Sequence, residues 1–255
     1  TPRAGKPPST TTVRCSTEGR APPPRSGRRE TASAMAPRSR KPFALKPAVY
    51  GAAIDDDLVL LDAELGAYHC LAGAGPALRP DGRTLAGLDG ALAAALATAG
   101  LAAPFDNGPT TPRPPPPLRP RATALRSAYP PPRPPDLGEA AFGLRELLRR
   151  YRGRTFAQIL AAARDPMPTV RRPPAPLADV LDRFQGWIAY APVSGKCLLR
   201  SFLLLRLLRR QGHDAMWVFG VTTWPFAAHC WLQVEDLVLD DELDRVAAYT
   251  PIMVR

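Results

Sequence analysis

Apolar positions gather into three short strand-like runs in the first half, 49–54, 58–62 and 68–71. They are separated by Asp55-Asp56-Asp57 and by Glu64-Leu65-Gly66-Ala67, and the spacing predicts two adjacent β-hairpins. After Arg83 the pattern changes: Leu85, Leu88, Leu92 and Leu96 recur every three or four residues in an Ala-rich setting, which predicts a helix lying across the hairpins. In the second half, Asp136 with Glu139 three residues on reads as a capping box. It opens an amphipathic helix carrying Phe142, Leu144, Leu147, Leu148 and Tyr151. A short helix follows over 156–163, and Leu177, Val180, Leu181, Phe184, Trp187 and Ile188 mark another. From about 196 to 211 the apolar positions wrap most of the helix circumference, so this segment is expected to be buried, capped by Ser194 and stopped at Gly212. Residues 215–221, 229–234, 237–239 and 249–254 read as strands with turns between them. The pattern is α+β, in two modules.

Composition places the boundaries. The 32 prolines concentrate in the first 50 residues, between Pro104 and Pro135, and between Pro166 and Pro176. The expected layout is a basic Pro/Ser/Arg-rich tail over 1–46 without a core, a small module over 47–103, a semi-rigid polyproline-like spacer over 104–135, and a larger domain over 136–255. Met35 offers a second start, which would make residues 1–34 an upstream extension. The formal charge of +11 points first to nucleic acid, but the tail alone carries eleven basic and two acidic side chains. With the excess there and the modules nearly neutral, a nucleic-acid binder is not the expected class. Four cysteines make no disulfide framework, no CxxC pair suggests zinc, and no apolar run is long enough to span a membrane. A working thiol fits a reducing cytoplasm.

The candidate chemistry lies in the larger domain. Cys197 stands in the first turn of the buried helix, where the helix dipole and free backbone N–H groups favour a thiolate. His229 follows on a strand and is placed to act as base. Asp241, or its neighbour Asp240 as the second candidate, can accept the other ring N–H and fix the imidazole. Period two turns only one of the two carboxylates toward the site, and the same rule turns Cys230 away, toward the core. The backbone N–H of Cys197 and the side chain of Gln185 are the candidate oxyanion donors. Thiol, imidazole and carboxylate in this order are those of a papain- or transglutaminase-type cysteine enzyme.

The stretch from Cys197 to Gly212, with Trp217-Val218-Phe219-Gly220-Val221, Pro225-Phe226-Ala227-Ala228-His229-Cys230-Trp231 and Tyr249-Thr250-Pro251-Ile252, resembles the lasso-peptide biosynthesis B protein. The resemblance runs from about Phe184 to the C-terminus. It implies a transglutaminase-like cysteine peptidase that removes the leader of a precursor peptide, with Cys197, His229 and Asp241 as its triad. The run from Asp57 to Asp62, followed by Tyr68, resembles the winged-helix-like recognition element of peptide-modifying enzymes. That likeness implies a leader-binding module using Val59, Leu61, Asp62 and Tyr68, in which the leader adds as a strand to a hairpin edge. The implied partners are the precursor and a cyclase of the asparagine-synthetase type. No Gly-rich phosphate loop is present, so no cofactor is expected in this chain and any ATP requirement falls to the cyclase. The competing expectations are a non-catalytic precursor-binding protein and an enzyme that passes the acyl group to an amine.

Overall fold

The computed structural model describes residues 42–105, 113–129, 131, 136–166, 175–190 and 197–255. The tail up to residue 41 and the Ser194 cap lie outside the described residues. The chain divides into two compact units, Thr1–Thr111 and Pro112–Arg255.

The first unit carries the expected hairpins. Strands β2 (Val49–Ile54), β3 (Asp57–Asp62) and β4 (Ala67–Leu71) form an antiparallel meander with β3 in the centre. Asp55 makes the first turn at φ 51°. In the second, the Asp62 carboxylate accepts from the N–H groups of Glu64 and Leu65 at 2.9 and 3.2 Å. Leu58 and Leu60, fully buried on one face, join a core with Leu45, Leu85, Leu88 and Leu96, each such burial being worth about 2 kcal/mol.

A second, three-stranded sheet has no counterpart in the sequence pattern. Strand β1 (Phe43–Leu45) lies between β5 (Thr84–Leu85) and β6 (Ala102–Pro104). Residues 43–45 fall within the stretch expected as tail, since three apolar residues between Pro42 and Lys46 are too few to show a strand pattern. Leu85 and Leu88 precede the helix, which is α1 (Gly90–Thr98), entered where Asp89 accepts from the N–H of Leu92 at 2.6 Å. Among the described residues this unit holds one α-helix, and its strands dominate.

The second unit is built on a five-stranded sheet. Strand β7 (Ala122–Thr123) comes first in the chain. Then follow α2 (Asp136–Glu146) with a π-helical turn over Leu147–Tyr151, α3 (Phe156–Arg164), α4 (Leu177–Ile188) and α5 (Cys197–Arg210). Strands β8 (Met216–Thr222), β9 (Ala227–Val234) and β10 (Leu237–Val238), the short α6 (Leu243–Ala247) and β11 (Thr250–Val254) complete it. The strand order is β11-β8-β9-β10-β7. All neighbours are antiparallel except β7, which runs parallel to β10.

Strand β7 comes from the Pro-rich stretch read as a spacer. Part of that stretch is thus built into the second sheet, and Leu118 adds to the attachment by accepting a 2.7 Å hydrogen bond from the Gln233 side chain through its carbonyl. Polyproline composition hides such a strand, because two residues pairing with a sheet edge need no periodicity of their own.

Helix α5 is buried along Leu199 and from Ser201 to Leu208, and it ends as expected at Gly212 in the left-handed region, φ 85°. One of its buried residues is an ion. Arg206 is 1% exposed; its Nε donates to Glu146 at 2.9 Å and its Nη1 to the carbonyls of Ala162 and Asp165 at 3.0 and 2.7 Å. This pair changes the face of α2. Glu146 is buried beside Phe142 and Gly143, while Leu144 and Leu148, expected inside, are 55% and 51% exposed. Glu139 does not reach back as a capping box does; it bridges to Arg183 of α4 and Gln211 at 3.1 and 3.3 Å. Among the described residues no helix is long and apolar enough to cross a membrane.

Candidate active site

Cys197 opens α5, and α5 packs on β9, which carries His229 and Cys230. The register places Gly220 of β8 opposite His229. A Cβ at Gly220 would come within 2.8 Å of both Trp231 and Tyr249. Glycine therefore lets these two rings close on the imidazole, whose centroid lies 6.3 Å from Trp231 and 5.2 Å from Tyr249. Such a wall restricts the imidazole and favours its charged form.

His229 Nε2 meets Asp241 Oδ2 at 2.5 Å, and the imidazole and the Cys197 sulfur act on each other's charge state. Burial works against charge on His229, but the hydrogen bonds and charges of Asp241 and Cys197 outweigh it and raise the imidazole to about 9. Asp241 loses solvation too, yet its bond to His229, the N–H of Glu242 and the Arg245 guanidinium hold it below the usual carboxylate range. Cys197 is drawn down to about 4, first by a hydrogen bond from the Cys230 thiol, against burial, and then by the bond and charge of His229. The half-buried cluster is a thiolate–imidazolium pair steadied by a carboxylate, the form in which a cysteine is nucleophilic at neutral pH.

Cys230 differs from expectation. Its side chain is in the core, as alternation requires, yet it lies against Cys197 instead of away from it. Period two fixes the face from which a strand residue leaves, but not which side chain of the overlying helix covers that face. Here the first turn of α5 does: Ser201, one turn past Cys197, reaches the Cys230 carbonyl at 3.5 Å. Burial, followed by the bond to Cys197 and its charge, pushes the Cys230 thiol well up. It remains protonated and can donate to the thiolate.

Asp240 and Asp241 follow β10 in a turn and are not on the strand itself, but they still diverge. Asp240 is buried, accepting from Ser201 Oγ at 2.5 Å and from the N–H of Leu232 at 2.8 Å. Burial raises it to about 6 against those bonds and the Arg200 charge. Thr123 of β7 donates to the Asp241 carbonyl at 2.6 Å, so the Pro-rich stretch helps hold the residue that orients His229.

Gln185 of α4 is buried, and its Oε1 accepts from Arg200 Nη2 at 2.5 Å. The pattern reading missed Arg200, Ser201 and Tyr151. Tyr151 is raised to about 12, by burial first and then by the neighbouring Cys230 and Cys197. The polar residues Arg200 and Ser201 in the first turn of an otherwise apolar helix were the available signal. Among the described residues no group of His, Cys, Asp and Glu is arranged to hold a metal ion.

In the first unit, Val59 and Leu61 are fully buried on β3, which is paired on both sides and offers no edge. Asp62 is committed to its turn. Tyr68, half-buried, lies on the edge strand β4.

No curated protein and no solved structure matches the chain. A family model does, that of the Transglutaminase-like superfamily, over residues 141–254, a span from α2 to β11 that includes Cys197, His229 and Asp241. This part of the chain is a transglutaminase-like superfamily domain, of a kind fitted to cysteine-peptidase or acyltransferase chemistry.

Proposed function

We propose that the protein is a cysteine peptidase that removes the leader from a lasso-peptide precursor, freeing the core peptide for cyclisation by a partner enzyme. The observation that carries the catalytic part is the joined set of Cys197, His229 and Asp241, with Nε2 on the carboxylate and the thiol and imidazole coupled in charge. The Cys197 thiolate attacks the scissile carbonyl, forming a C–S bond and moving the carbonyl electrons onto oxygen. Collapse of that oxyanion breaks the C–N bond, and the imidazolium gives its proton to the leaving amine. Neutral His229 then takes a proton from water, the hydroxide adds to the thioester, and the thiolate leaves. The backbone N–H of Cys197 and the Gln185 amide are the donors assigned to the oxyanion.

The lasso precursor as substrate rests on the sequence motifs around Cys197 and His229. The first unit is assigned the leader. Since β3 is central, the strands available for addition are the edges β2 and β4, and Tyr68 is the named residue that lies on one of them, β4. The cyclase partner is taken to be of the asparagine-synthetase type and to account for any ATP requirement. The test is incubation of a candidate precursor with wild type and with Cys197→Ala, read by mass. Release of the leader as a free acid by wild type alone supports the peptidase. Transfer to an added amine points to acyl transfer, and unchanged cleavage by the alanine variant ends the proposal.

A further inference from the structure

Taking Cys197 as the nucleophile, as above, we propose that Arg200 is a positioning residue that turns the Gln185 amide so that its Nε2 faces the oxygen of the attacked carbonyl. Gln185 is 5% exposed, and Arg200 Nη2 donates to its Oε1 at 2.5 Å. A guanidinium has donors only, so it admits the amide in one orientation, oxygen inward, and the NH2 group must point the other way. That Nε2 is buried and has no hydrogen-bond partner among the described residues, and the same is true of Arg200 Nε. Buried donors are nearly always satisfied in folded proteins. Two left over on one bonded pair mark a place where an acceptor arrives with a ligand.

The neighbourhood identifies that acceptor. Cys197, Arg200 and Ser201 are three and four residues apart on α5 and share a face. Ser201 bonds to Asp240 and reaches the Cys230 carbonyl, the Cys230 thiol bonds to Cys197, and the Arg200 charge acts on Asp240. Arg200, which holds the Gln185 amide, therefore leaves α5 one helical turn from Cys197. An acyl oxygen gaining negative charge on attack by that sulfur needs fixed donors. An amide held by a cation supplies one that does not have to reorient.

The experiment compares two reactions of Cys197 in the full-length chain. Burst acylation by p-nitrophenyl acetate passes through an oxyanion, whereas alkylation by iodoacetamide does not. Gln185→Glu keeps a partner for Arg200, and so the fold, while removing the donor. It is expected to lower the acylation-to-alkylation ratio by about 10- to 100-fold. Arg200→Met should lower the ratio in the same direction, and in a Gln185→Met background it should add nothing, because Arg200 acts through Gln185. Where Arg200→Met does not fold, Arg200→Lys, which retains charge beside Asp240 but lacks the planar fork, must still lower the ratio. An unchanged ratio in Gln185→Glu, or a full additional loss from Arg200→Met without Gln185, overturns the proposal. A Cys197→Ala protein that still gives the burst would instead remove the nucleophile reading on which it rests.

Discussion

Two of the four arginines of helix α5, Arg200 and Arg206, stand six residues apart and have opposite polar accounts. Arg206 is nearly inaccessible, and its Nε and Nη1 are engaged by Glu146, the Ala162 carbonyl and the Asp165 carbonyl. Arg200 is partly exposed, bonds the Gln185 amide, and leaves its own Nε and the amide's Nε2 without partners among the described residues. The first arrangement ties α2, α3 and α5 together and offers nothing to a ligand. The second lies beside Cys197 and is incomplete without one. Both are buried polar clusters on one helix, and what separates structure from chemistry is whether the donors are used up.

The strongest way to break this contrast is to remove charge at the site end. His229→Ala takes away the partner of Cys197 and, in the proposed mechanism, the proton donor to the leaving amine. A loss of about 10³-fold or more in leader release is expected, with the protein still folded by circular dichroism. Near-wild-type turnover would place the base elsewhere.

At the other end the expected loss is in stability. Glu146→Gln leaves the Arg206 charge buried without its carboxylate, costing about 3–5 kcal/mol in denaturant unfolding. The double change Glu146→Leu with Arg206→Met should recover most of that, since both ions leave together. Iodoacetamide reactivity of Cys197 in the folded fraction should stay as in wild type. A drop there would mean that the two ends of α5 are coupled.

The sequence displayed these clusters unequally. The β2–β3–β4 meander and α5 with its Gly212 stop were legible because each has a period and a defined terminator. Cys197, His229 and Asp241 could be picked out because helix start, strand and following carboxylate come in chain order. The Arg206–Glu146 pair was not visible: its members are 60 residues apart, and an arginine in an apolar run reads locally only as an interruption. The same buried glutamate inverted the face assigned to α2, leaving Leu144 and Leu148 outside. Cys230 was placed in the core, but its contact with Cys197 depends on where α5 crosses the sheet, which strand alternation does not encode. Strands β1, β5, β6 and β7 are two or three residues long, below the length at which alternation can be recognised.

A smaller effect is expected from pH alone. His229 is raised from 6.5 to about 9, so its charge, and the stability it gives the pair, is complete below 6.5 and lost as pH rises through about 9. Cys197 is lowered from 9.0 to about 4, so the thiolate's part is lost as pH falls through about 4. Iodoacetamide alkylation should rise through about pH 4 to a plateau, and acyl transfer, which also needs the imidazolium, should fall again through about pH 9. Asp240, raised to about 6, titrates inside that window, and an inflection there that disappears in Asp240→Asn would couple its charge to the rate. A single inflection near the free-thiol range would dissolve the ion pair.

The finest distinction is between the two groups that hold the thiolate. Cys230 is a neutral donor kept protonated by burial, and His229 is a charged one. Cys230→Ala removes a hydrogen bond to the sulfur while leaving the imidazolium and Asp241 in place. The lower inflection of alkylation should therefore move to higher pH, each unit of movement costing about tenfold in thiolate at a pH below it. The upper limb of acyl transfer should stay near 9, because the His229–Asp241 bond is untouched. His229→Ala, by contrast, should shift the lower inflection and abolish the upper limb. If Cys230→Ala leaves the lower inflection where it was, the thiolate is held by charge alone, and Cys230 is only the core residue that strand alternation suggested.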